Sequence, residues 1–164
     1  MNEVLTIVEK FPSESWLQYA FNHPPLFLAT LFVSAVYTHR RENILDDAAL
    51  YFYRLQTIKL ANEVLWTGTE DEKTSDEMIM VAVILLYFTV CPDVCWKEYS
   101  THMKGIQKMV NARGGVEHLG MNGIPGKWLD FVFGPWSQGF QYREFSEMVV
   151  RDEKDLLEQR EGYL

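Results

Sequence analysis

The chain has 164 residues, 48% of them hydrophobic and 14% aromatic, which is enough apolar material for one filled core and excludes a disordered chain. A formal net charge of -8, with His39-Arg40-Arg41 as the nearest thing to a basic cluster and Glu42 directly after it, excludes a surface built to neutralise nucleic-acid phosphates or to adsorb to an acidic membrane. Only Cys91 and Cys95 could form a disulfide, no signal segment opens the chain, and the longest near-continuous apolar run, Met78 to Val90, has 13 residues where a membrane span needs about 20. The expectation is an intracellular protein, nuclear or cytoplasmic.

Helical spacing dominates from the start. Val4, Leu5 and Val8 suggest a short amphipathic segment that Pro12 stops. Ser13 or Ser15 can cap a helix carrying Trp16, Leu17 and Ala20. Asn22-His23-Pro24-Pro25 places a capping side chain before prolines, whose missing amides are harmless in a first turn, and predicts a largely buried helix to about Arg41. Asp46 and Asp47 open a long helix to about Trp66. There Ala48, Tyr51, Phe52, Leu55, Ile58 and Leu65 recur at helical spacing, while Arg54, Lys59 and Glu63 are expected to fill the other face. Thr67 to Lys73 reads as an acidic loop. Thr74-Ser75-Asp76-Glu77 fits a capping box, with Glu77 three residues after Thr74, and the apolar run to Val90 follows as a central helix ended by Pro92.

From about Val94 to Ala112, Trp96, Tyr99, Met103, Ile106, Met109 and Val110 form one stripe. Gly114-Gly115 should end that helix, because the first position past a helix often takes a left-handed backbone. Gly120 to Gly126 reads as a loop and Trp128 to Phe133 as helix. Gly134-Pro135 breaks the pattern and Trp136 starts a segment to about Val150. These elements predict an all-α, single-domain bundle of seven to eight helices over residues 1–150, with a charged C-terminal tail over 151–164.

Four segments carry a family resemblance: His23-Pro24-Pro25-Leu26-Phe27 with Ser34-Ala35-Val36-Tyr37; Ala48 to Arg54 with Ile58 and Asn62; Ser75-Asp76-Glu77; and, most specifically, Trp96, His102-Met103-Lys104-Gly105, Met109-Val110, Arg113-Gly114-Gly115 and Leu119-Gly120. Together they resemble the middle regulatory region of fungal zinc-cluster transcription factors over about Trp16 to Gln141. Full-type members carry an N-terminal six-cysteine zinc cluster, which Cys91 and Cys95 cannot build, and Gln138 stands where the family tends to show an acidic residue. The resemblance implies a helical regulatory or interaction module that binds a small hydrophobic effector, a protein partner or itself, without touching DNA. A chain shorter than its relatives would leave apolar faces uncovered, so a homodimer burying parts of Trp128 to Phe140 is expected.

Pocket candidates are Phe52, Trp96, Tyr99, His102, Met103 and Trp128, aromatic and methionine side chains able to line an adaptable apolar cavity between helices. No cofactor is expected, and no metal, since two cysteines lack two further ligands. Arg113 beside the glycine pair suits a helix end, where its charge would satisfy carbonyls. The alternative reading is a stand-alone enzyme, a cyclase or isomerase of fungal natural-product biosynthesis. Its polar groups would be His102, Tyr99, Asp130 and Arg113 in a shaped apolar cavity.

Overall fold

The computed structural model describes residues 13–42, 47–89 and 96–133. The described residues form helices α1 (Ser13–Asn22), α2 (Pro24–Glu42), α3 (Asp47–Thr67), the single turn α4 (Glu70–Lys73), α5 (Asp76–Thr89), α6 (Trp96–Ala112) and α7 (Ile124–Phe133). Two 3-10 turns, Val116–His118 and Met121–Gly123, join α6 to α7. Six helices therefore have ten residues or more, and no described residue is in a strand. The predicted Val4–Val8, Trp136–Val150 and tail segments lie outside the described residues, as do Cys91 and Cys95.

The centre is α5. Met78, Ile79, Met80, Val81, Val83, Ile84, Leu85 and Leu86 point around its full circumference, and all are buried. A helix that is apolar all round is stable only when enclosed, and α2, α3, α6 and α7 all pack on it. Each large aliphatic side chain so enclosed contributes roughly 1.5–3 kcal/mol by leaving water.

The start of α5 differs from the predicted box by one residue. Ser75 is the cap, with its Oγ accepting the Met78 N–H at 3.3 Å. The capping box instead belongs to Thr69 and Glu72, at the head of α4. The Glu72 carboxylate accepts the Thr69 N–H at 2.7 Å and its hydroxyl at 3.0 Å, so four residues expected as loop close into a turn of helix.

On α2, Leu26, Ala29, Phe32, Ala35 and Val36 face inward. Its entry is capped by His23, whose Nδ1 accepts the Leu26 N–H at 3.3 Å, while Asn22 turns back to donate to the Gln18 carbonyl at 2.8 Å. Trp16 docks α1 on α2 by donating its Nε1–H to Thr30 Oγ1 at 3.0 Å.

α7 begins at Ile124, ahead of the expected Trp128, because Pro125 sits in the first turn, where its missing N–H costs nothing. Trp128 and Leu129 then carry the buried face, with the Trp128 ring edge-on to Tyr87 at 6.2 Å.

Candidate functional site

Helix α3 has apolar residues on every side, and the structure selects which side is inside. Thr57 and Ala61 are buried, with Leu50, Tyr53, Ile58 and Val64 packed partly against the core. The Thr57 hydroxyl is satisfied by donating to the Tyr53 carbonyl at 2.8 Å. This choice turns most of the predicted stripe outward. Tyr51 is 58% exposed, Phe52 56%, Leu55 46%, Leu65 42% and Trp66 84%. Positions 52, 55, 59, 62 and 66 follow three- and four-residue steps, so Phe52, Leu55, Lys59, Asn62 and Trp66 share one face. Lys59 and Asn62 separate Leu55 from Trp66 on this face; lone exposed apolar residues are ordinary, while a cluster such as Tyr51, Phe52 and Leu55 is the usual mark of a binding surface.

Glu63 is exposed three residues before Trp66 on α3, and Asp71 and Glu72 are exposed on α4. The two bonds from Thr69 hold the Glu72 carboxyl below its ordinary pKa, so it stays ionised and fixed in place. Glu70 is matched by Lys73 at 2.9 Å.

The second feature is a corner at the end of α6. Gly115 N–H bonds to the Val110 carbonyl and Gly114 N–H to that of Asn111, each at 3.0 Å, and Gly114 has φ of 92°. The expected glycine stop is therefore realised as a Schellman closure. Arg113, placed at this end, does not reach back to carbonyls. Its Nε lies 3.3 Å from Asp76 Oδ1, at the head of α5. The other oxygen of Asp76 accepts the Gly120 N–H at 2.7 Å. Gly120 is required by proximity rather than by its backbone angles, since a Cβ there would sit 2.8 Å from Asp76 Oδ2. The Arg-Gly-Gly and Leu-Gly pairs thus fasten two helix ends through one buried carboxylate.

A hollow of about 400 Å³ lies between α1, α4 and the head of α5, lined by Gln18, Tyr19, Asn22, His23, Glu72, Ser75 and Glu77. Burial lowers the His23 pKa, partly opposed by the charge of Glu77. None of the pocket candidates read from the sequence lines this hollow. Met103 and Trp128 are buried in the core, Phe52 is on the outer face of α3, and Tyr99 is half-buried, where desolvation raises its hydroxyl pKa. Trp96 opens α6, and the surroundings of its side chain lie outside the described set. Of the groups named for an enzyme, His102 and Asp130 are exposed and Arg113 is engaged by Asp76. No group of three or more His, Cys, Asp or Glu among the described residues is placed to hold a metal ion.

The described residues form an all-helical bundle, the architecture expected of a helical regulatory domain. Residues 12–132 match the fungal-specific transcription factor domain, and the chain belongs to that family. No curated protein and no solved structure matches it. No described helix is long and apolar enough to cross a membrane.

Proposed function

We propose that this domain regulates transcription in the nucleus by binding a protein partner through the outer face of α3, without contacting DNA itself. The observation that carries this reading is the run of Tyr51, Phe52, Leu55 and Trp66 left in water on a helix whose opposite side is core. Family membership supports the regulatory setting, and the net charge of -8 opposes a direct phosphate contact. A small hydrophobic effector has weaker support, because the hollow between α1 and α5 presents carboxylates, amides and an imidazole. The expected dimer through Trp128 to Phe140 also loses one anchor, since Trp128 is 4% exposed within the chain itself. Residues 134–140 lie outside the described set.

The test is a reporter assay with the chain tethered to an unrelated DNA-binding domain. The wild type changes reporter output, and the double variant Phe52→Ser/Trp66→Ser, checked by circular dichroism to be folded, returns it to baseline. A wild-type chain that leaves the reporter unchanged rejects the proposal. A double variant as active as wild type moves the function away from α3.

A further inference from the structure

We propose that Thr69 is a phosphorylation site for an acid-directed Ser/Thr kinase, and that the phosphate dismantles the Thr69–Glu72 box. The site lies in the connection between α3 and α5 and is independent of the outer face of α3.

The sequence singles out this hydroxyl. Thr69 is followed by Glu70, Asp71 and Glu72, and no other Ser or Thr of the chain has acidic residues at all three of the next positions. Kinases select substrates in part by charge pattern, and an unbroken acidic run complements a cleft lined with Lys and Arg. Thr74, with Asp76 and Glu77 two and three places on, is the nearest rival. It is half-buried, and its Oγ is turned inward to donate to the Glu70 carbonyl at 2.8 Å.

The fold supplies access. Thr69 and the three acidic residues after it are all exposed, and Thr69 already has an extended backbone, with φ of -69° and ψ of 163°. No residue of α4 is buried, so this segment can peel away without uncovering the core. Local openings of that kind cost far less than global unfolding. The Thr69 hydroxyl is tied only by its contacts with Glu72, which lie at the surface where water can replace them.

In the reaction, Thr69 Oγ attacks the γ-phosphorus of ATP, the bond from that phosphorus to the departing ADP oxygen breaks, and the hydroxyl proton passes to the base of the kinase. The product adds a charge of about -1.5 to -2 at neutral pH. The proton that Glu72 accepts is gone, and a phosphate stands beside its carboxylate. Phosphate oxygens can still accept the Glu72 N–H, but like charge expels the Glu72 side chain. The Thr69 N–H, now held by that carboxylate at 2.7 Å, is released, and the hollow beside α1 loses a fixed anionic wall.

The experiment incubates the full chain with ATP and a purified Ser/Thr kinase that selects downstream acidic residues, and maps the product by mass spectrometry. One phosphoryl group on Thr69 is expected. Thr69→Ala should abolish it and Thr69→Ser should keep it. Glu70→Gln/Asp71→Asn leaves the box intact and should slow the reaction at least about tenfold; an unchanged rate overturns recognition by charge. Incorporation that Thr69→Ala does not remove assigns the site to another hydroxyl and overturns the proposal. A native chain that stays unmodified overturns it too, whether or not the heat-unfolded chain is modified. In the phosphorylated chain the Thr69 amide should exchange with deuterated water at least about tenfold faster than in the unmodified one. Equal exchange would mean that Glu72 still holds it, and would overturn the loss of the box.

Discussion

Helices α3 and α5 are both rich in apolar residues, yet only one is a core helix throughout. On α5, eight consecutive or near-consecutive apolar side chains from Met78 to Leu86 are buried, because four neighbours enclose them. On α3, burial stops at Thr57, Ala61 and the partly covered residues beside them. The difference lies in the coverage rather than in the helices. Where neighbours surround a helix its apolar residues are stability, and where they cover one side the remaining residues are available for recognition.

The largest effect that tests this contrast is Ile84→Ala. The side chain is 1% exposed, and its loss should cost about 3–4 kcal/mol through lost transfer energy and an unfilled cavity, measured by urea denaturation. A cost below about 1 kcal/mol would mean that the centre of the bundle is not closed around α5.

The Asp76 corner should come next. Gly120→Ala must displace the Asp76 carboxylate and should cost about 2–3 kcal/mol. Arg113→Ala should cost about 2 kcal/mol, below the value for a fully buried pair because the arginine side chain is 37% exposed. A double-mutant cycle between Asp76 and Arg113 that shows no coupling would remove the ion pair from the account.

The His23 cap gives a smaller, pH-dependent effect. Burial lowers its pKa in the folded state below the ordinary 6.5, so the unfolded chain takes up the proton first. Stability from the neutral imidazole is complete above the unfolded value and is lost as pH falls below about 6.5. His23→Asn keeps a capping side chain but cannot titrate there. Its melting temperature should change less than that of the wild type between about pH 7.5 and 5.5. Equal slopes would locate the acid sensitivity elsewhere. Smallest of all, Phe52→Ser should move stability by no more than about 0.5 kcal/mol while removing partner binding. A large loss of stability would place Phe52 in the core and dissolve the contrast.

Much of the bundle was legible because local rules agree with it. The run from Met78 is too long for a strand and is the central helix, and the helix entry at His23-Pro24-Pro25 and the stop at Gly114-Gly115 are both observed. The orientation of α3 was not legible. With apolar residues at most angles, its period does not say which side meets α2 and α5. The role of Arg113 was hidden for another reason: it depends on Asp76, whose other contact, Gly120, is 44 residues further along the chain. The Ser75 cap and the Thr69–Glu72 box show the local limit, where neighbouring Ser and Thr residues offer overlapping signals and only the fold decides between them.

The exposure of Trp66 also makes the protein its own optical probe. Among the tryptophans with described surroundings, Trp16 is half-buried and Trp128 is buried, while Trp66 stands 84% in water. Its emission should lie at long wavelength and shift to the blue when the face is covered. Occupancy of the surface can therefore be followed by light from the native chain, without a label that would itself alter the contact.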